Sequence, residues 1–212
     1  MFATALSKDA QDALALLGKT RLLPKDTYLA GGSALALHYN HRISIDFDFF
    51  TPTHFVGKEI IQELNKVGVF ELQETAERDT LLGLFNKVKF SLFLYEYPLI
   101  LKPVLFLDVP IVSPEDIAAM KLSAVMDRGT KKDFIDLYFL SIKGVSVGKG
   151  FEYYETKYKA LANNVYSLVK ALAYFDDAEK MGMPDMIVKI DWEEIKEFFR
   201  KEAVSLAEKY LK

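Results

Sequence analysis

The sequence predicts an α+β chain: a mixed β-sheet module flanked by helices, then a helical module. Three observations carry this reading. Runs rich in β-formers concentrate between residues 68 and 109, a helix start stands at Ser113-Pro114-Glu115-Asp116, and helical apolar spacing dominates beyond it. The expected organisation is 1–110 for the sheet module with its N-terminal helix, and 111–212 for a helical module packed on it.

Residues 7–18 have helical apolar spacing. Thr27 to Ala30 reads as a short strand running into Gly31-Gly32, and Ser33 to Tyr39 as a short helix. Ile43 to Phe50 alternates like a strand, with Ile45, Phe47 and Phe49 directed to the core. Lys58 to Val67 is helical, with Ile60, Ile61 and Leu64 on one side. VFELQETA, TLLGLFN, KVKFSLFLYEY and VLFLDV read as strands. At Ser113 a potential N-cap is followed by Pro at the first helical position, so a helix is expected to about Arg128. A second is expected from Lys132 to Ile142, then a glycine-containing break over 143–150 and one long amphipathic helix over 151–175. Asp191 caps the last helix, with Glu194 completing a capping-box-like pair.

Composition removes whole classes of function. Half the residues are hydrophobic, which is too apolar for a disordered chain. The net charge of −3 offers no general attraction to nucleic acid, so any anion site is local. With no cysteine there is no disulfide, thiolate catalysis or Cys-ligated zinc. The opening residues lack the basic start and apolar run of a secretory signal, and no apolar run is long enough for a membrane span. A cytoplasmic protein is expected.

Two motifs carry chemistry. In IDFDFF, strand alternation points Asp46 and Asp48 the same way. Side by side, the carboxylates repel each other, and a hard cation such as Mg²⁺ or Mn²⁺ relieves that repulsion. An exposed strand with two solvated acids is the plain alternative. In AGGSALAL, a strand ending in Gly31-Gly32 with Ser33 opening a helix can offer backbone N–H groups to a phosphate. An ordinary strand–turn–helix is the alternative there. Taken together the motifs are more specific, because a phosphate cradle beside a carboxylate pair is what phosphoryl and nucleotidyl transfer require.

The run GGSALALHYNHRISIDFDFF resembles the start of the AbiEii/AbiGii-type nucleotidyltransferase family, a branch of the polymerase-β-like superfamily. Gly31-Gly32-Ser33, Arg42, Ser44, Asp46 and Asp48 carry the likeness. SPEDIAAMKLSAVMDRGTKKDFIDLYFL resembles the family's later signature through Lys121, Arg128, Lys132, Asp133 and Asp136. The resemblance implies a metal-dependent transfer of a nucleoside monophosphate from an NTP to an acceptor hydroxyl. Asp46, Asp48, Lys121 and Asp133 would be catalytic, with Asp46 and Asp48 holding Mg²⁺ or Mn²⁺. Gly31, Gly32, Ser33, Arg42, Ser44 and Arg128 would bind the nucleotide. It further implies the toxin of a toxin–antitoxin pair, a cognate antitoxin, and an acceptor that is tRNA, another RNA or a protein.

The spacing of Lys121 beside Ile117 and Val125 puts it at the edge of an apolar stripe, so a partner is expected. Asp133 and Asp136 are candidates for that partner, as is a nucleotide phosphate; a structural ion-pair network between two helices is the competing reading. One departure stands out. The superfamily places a third carboxylate on a later strand, and alternation in KVKFSLFLYEY sets Lys87, Lys89, Ser91 and Phe93 on one face, with Ser91 near the acid's expected place. Asp108 is a possible substitute. Two rival functions follow: a catalytically inactive nucleotide-binding or interaction module on the same fold, and a D-x-D glycosyltransferase. His38 and His41 read as capping or surface residues, Trp192 as core or interface, and the tyrosines of 153–166 as packing rather than base stacking.

Overall fold

A computed structural model describes residues 1–73 and 78–211, which divide into two compact units. The first comprises 1–98 and 102–113; the second comprises 99–101 and 114–212.

The first unit is built on a seven-stranded mixed sheet. In chain order it holds α1 (Lys8–Thr20), β1 (Tyr28–Ala30), α2 (Gly31–Tyr39), β2 (Asp46–Thr51), α3 (Gly57–Leu64), β3 (Phe70–Leu72), β4 (Thr80–Phe85), β5 (Val88–Leu94), β6 (Val104–Phe106) and β7 (Val109–Ile111). The strand order is β3-β4-β5-β2-β1-β7-β6. Strand β2 runs antiparallel to β1 and parallel to β5, so it is interior to the sheet. Its period of two sends Phe47 and Phe49, both with no exposed surface, into a core shared with Leu29, Phe90, Leu92 and Ile111. Ser7 caps α1 by accepting from the Ala10 N–H at 3.2 Å.

The structure departs from the sequence reading at several joints. Helix α2 starts at Gly31 rather than Ser33, because Gly31 takes a φ of +64° and turns the chain from β1 directly into the helix. Strand β2 starts at Asp46, and Ser44 makes only an isolated bridge with Leu6. Ile45 therefore lies ahead of the ladder and is 57% exposed, not a core residue. VLFLDV is a hairpin instead of one strand: Leu107 and Asp108 have φ of 51° and 61°, which closes a tight two-residue turn between β6 and β7. Residues 74–76 of the expected VFELQETA strand lie outside the described residues, and β3 spans Phe70–Leu72.

The second unit is helical: α4 (Pro114–Asp127), α5 (Lys131–Ile142), α6 (Val147–Tyr158), α7 (Leu161–Leu172), the short α8 (Asp176–Glu179) and α9 (Trp192–Tyr210). The long helix expected over 151–175 is two helices. Lys159 adopts the left-handed conformation at the end of α6, and α7 begins two residues later. Half of the expected break at 143–150 lies at the start of α6, which begins behind a Ser146 cap. Gly150 packs closely there on α4: a Cβ would stand 3.1 Å from the Leu122 side chain, which would have to shift by a few tenths of an ångström. Asp191 caps α9 through the Glu193 N–H, while Glu194 accepts from the Tyr138 hydroxyl at 2.8 Å rather than closing a capping box. Trp192 is in the core, edge-on to Phe134 and Phe175, as expected. Among the described residues no helix is long and apolar enough to cross a membrane.

One buried contact was not read from the sequence. Asp116 and Lys157 have no exposed side-chain surface and pair at 2.8 Å. The Asp116 carboxylate also accepts from the backbone N–H groups of Ile100, at 3.0 and 3.1 Å, and Leu101, at 3.2 Å. The available signal was Lys157's place three residues after Tyr154, on the same helix face.

Gly18 is a position that packing reserves for glycine. A Cβ there would meet the Leu107 carbonyl oxygen at 1.9 Å, at the turn of the β6–β7 hairpin. Ala favours a helix over Gly by about 1 kcal/mol, but overpacking against fixed backbone costs about 1–3 kcal/mol. Gly18→Ala is therefore expected to lower stability by up to about 2 kcal/mol in a denaturant titration. A stabilised variant would show that the hairpin yields.

Candidate functional site

The N-terminal motif comes together where β1 and β2 pair. Asp46 and Asp48 project from the same face of β2, opposite Phe47 and Phe49, and both are half-buried. Ala30, the last residue of β1, is registered with Asp48, so α2 starts beside that carboxylate. Gly31 is held to glycine twice over: its φ is positive, and a Cβ would stand 2.8 Å from Asp48 Oδ2. Gly31 and Gly32 form the first turn of α2, where no side chain caps the helix at Ala30. The N–H groups of that turn are the kind that bind an anion.

Ser33 and Ser44 lie behind this surface. Ser33 is buried, and its hydroxyl donates to the Asp46 carbonyl oxygen and lies 2.9 Å from Ser44 Oγ. It ties the first turn of α2 to the start of β2. Arg42 is 3% exposed, and Nη1 donates to the Ile43 carbonyl at 3.3 Å and to Ser44 Oγ at 3.4 Å. Ser33, Arg42 and Ser44 thus form a buried polar brace that sets the position of the Asp46 backbone. His38 bonds the Val112 carbonyl at 2.8 Å, and His41 is fully buried rather than at the surface.

On β5, Ser91 is registered with Asp48 and Lys89 with Asp46. A serine therefore stands beside Asp48 where a third acid is expected, and Ser91 is buried. Asp108 is no substitute: it sits in the β6–β7 turn and lines a cavity of about 360 Å³ with Leu17, Gly18 and Phe49, and Phe49 points away from the face that carries Asp48. Lys87 lies in the turn before β5, with a φ of 69°. Among the described residues no group of three or more His, Asp or Glu is suited to a metal. Two carboxylates still fit Mg²⁺, which is commonly held by one or two carboxylates with phosphate and water oxygens completing its octahedron.

The second motif forms its own cluster in the helical unit. Lys121 of α4 is 7% exposed and lies between Asp133 at 2.8 Å and Asp136 at 2.6 Å, both on α5. Arg128 donates to Asp133 from Nε at 3.0 Å and Nη2 at 3.2 Å, and the Thr130 hydroxyl adds a bond at 2.6 Å. Burial pushes the Asp133 carboxyl up, but the charges and hydrogen bonds of Lys121 and Arg128 outweigh it and hold the group well below the usual carboxylate range. Arg128 remains 64% exposed while its guanidinium is steered by Asp133.

Breaking a buried pair leaves an uncompensated charge, so Asp133→Asn is expected to cost about 3 kcal/mol at neutral pH. Because the folded-state carboxyl is depressed, its contribution is complete above the unfolded value near 3.9 and is lost as pH falls below it. The Tm gap between wild type and Asp133→Asn should therefore narrow below about pH 4. A gap constant from pH 7 to pH 3 would refute this assignment.

The structure is similar to MenT4, a nucleotidyltransferase toxin from Mycobacterium tuberculosis H37Rv, with a TM-score of 0.56 and 16% identity, covering 95% of this chain and 86% of that one. It is equally similar to JHP933 from Helicobacter pylori, with a TM-score of 0.56 and 17% identity over 97% of this chain and 94% of that one. At these identities the likeness is one of fold. In sequence the chain is 38% identical over 202 residues to an uncharacterised protein of Aquifex aeolicus (strain VF5), covering 92% of this chain and 95% of that protein. Residues 15–87 and 88–205 match the model of the family described as nucleotidyl transferase AbiEii toxin, type IV TA system. With both motifs and nearly the whole chain matched, this protein belongs to the AbiEii nucleotidyltransferase toxin family.

Proposed function

We propose that the protein transfers a nucleoside monophosphate from an NTP to an acceptor hydroxyl on RNA or protein, as the toxin of a toxin–antitoxin pair with a cognate antitoxin. The observation that carries this reading is the adjacency of two features. Asp46 and Asp48 share one half-buried face of β2, and the uncapped first turn of α2 begins beside Asp48. Asp46 and Asp48 would hold Mg²⁺ or Mn²⁺. When bound, such an ion neutralises phosphate charge and favours in-line attack.

The chain's own residues do the rest. The N–H groups of Gly31, Gly32 and Ser33 receive phosphate oxygens, with the positive end of α2 behind them. The hydroxyls of Ser33 and Ser44 and the Arg42 guanidinium act one layer deeper, fixing the carbonyl of Asp46 and hence its carboxylate. The acceptor oxygen forms a bond to the α-phosphorus, the bond to the bridging oxygen breaks, and pyrophosphate leaves with that electron pair. With Ser91 in register with Asp48, the acceptor proton passes to solvent water instead of a third carboxylate. In the helical unit, Asp133 acts through Arg128, the phosphate-binding group that the motif implies, by holding its guanidinium, and Lys121 acts one step further back by holding Asp133.

Ser91 also favours a second reading, a nucleotide-binding module without transfer. Incubation with each α-³²P-labelled NTP, Mg²⁺ or Mn²⁺, and cell extract separates the two. Label should enter RNA or protein with wild type and fall at least about a thousandfold in Asp46→Ala/Asp48→Ala, since such residues supply several kcal/mol to the transition state. Metal-dependent nucleotide binding with no label in any fraction would establish the binding module.

A further inference from the structure

The register of β2 against β5 places four side chains in a two-by-two array on one sheet face. Asp46 lies beside Lys89, and Asp48 beside Ser91. Registered neighbours in a sheet are about 4.8 Å apart and point the same way. Lys89 is exposed, and among the described residues its ammonium joins no ion pair. It is a cation with reach, fixed at its base next to a proposed metal ligand.

Charge arithmetic gives the position meaning. A site with three carboxylates and two divalent cations carries a single net positive charge to set against a triphosphate. Here one carboxylate is missing, replaced by the neutral Ser91, and one fixed lysine is present. Two carboxylates, one ammonium and one divalent cation carry the same single net positive charge. A second divalent cation would raise it to three, with only two carboxylates to hold both ions. On this count Ser91 and Lys89 belong together: the loss of a ligand for a second ion is matched by a built-in cation on the same strand.

We propose that Lys89 stands in for a second divalent cation, so that the site takes one Mg²⁺ or Mn²⁺ together with the nucleotide and the Lys89 ammonium contacts the triphosphate. This rests on the reading of Asp46 and Asp48 as metal ligands. The side chain suits the role, since lysine meets phosphate as a mobile point charge on a flexible stem.

The experiment counts bound Mn²⁺ on the full chain by equilibrium dialysis and electron paramagnetic resonance, with a non-hydrolysable α,β-methylene NTP as the probe. Wild type should hold one protein-bound Mn²⁺ with an uncoupled signal. Lys89→Ala should weaken binding of the NTP analogue by roughly ten- to hundredfold, the loss of one charge-assisted contact. Lys89→Arg should recover most of that affinity. Lys89→Ala/Ser91→Asp should bind a second Mn²⁺, with the spin-coupled signal of two ions about 4 Å apart. Two bound ions in wild type, or unchanged analogue affinity in Lys89→Ala, would overturn the proposal while leaving the metal site standing. Mn²⁺ binding that is absent, or indifferent to Asp46→Ala/Asp48→Ala, would instead remove the metal reading itself. Should the double variant not fold, the wild-type count and the alanine–arginine pair at 89 still decide the question.

Discussion

Strand β2 is hydrogen-bonded on both edges, and that constraint orders the first unit. With β1 on one side and β5 on the other, a slip of one residue would bring Asp46 and Asp48 into the core and expel Phe47 and Phe49. Burying two unpaired carboxylates costs far more than the fold can spare. The same register that protects the core therefore fixes the candidate site: it sets Ala30 and the first turn of α2 beside Asp48, and Lys89 and Ser91 beside the acids. Core packing and site geometry are one decision made by the alternation of a single strand.

The polar groups around that strand divide by depth. The exposed layer is Asp46, Asp48 and the backbone of Gly31 and Gly32. Behind it, Ser33, Arg42 and Ser44 are buried, with hydrogen bonds to one another, to the Ile43 carbonyl and to the Asp46 carbonyl at the start of β2. Sequence motifs mix these layers, because a brace and the group it braces lie equally close along the chain. The helical unit repeats the pattern with charges. Lys121 and Asp133 are nearly sealed from solvent, and Arg128, held by Asp133, is the member that reaches it.

Much of this was legible in the sequence, and the failures have physical causes. Strand and helix periodicity located the sheet module, the Ser113–Pro114 helix start and the shared face of Asp46 and Asp48. The partners of Lys121 were also among those expected, because a cation at the edge of an apolar stripe must find an anion. Depth was not legible: nothing local says that Arg42 turns inward or that Ile45 falls outside the ladder. Left-handed residues were the other blind spot. Lys159 and the Leu107–Asp108 pair adopt positive φ without a glycine to announce it, and each broke one expected element into two. The Asp116–Lys157 pair joins residues on two different helices, α4 and α6: periodicity puts Lys157 on the buried face with Tyr154 but does not name its partner.

That last pair bears on how the chain is assembled at the ribosome. Residues 99–101 belong to the second unit although the strands on either side of them, β5 and β6, belong to the first. Their amides at Ile100 and Leu101 are satisfied by Asp116, whose carboxylate in turn pairs with Lys157, 41 residues further along the chain. The second unit is thus not a contiguous stretch of gene. A fragment starting at residue 114 would carry Asp116 without the amides it accepts from, and a nascent chain ending at residue 113 would hold two amides waiting for an acceptor not yet synthesised. The two units are interleaved as text, so neither can be inherited, excised or exchanged by a single cut.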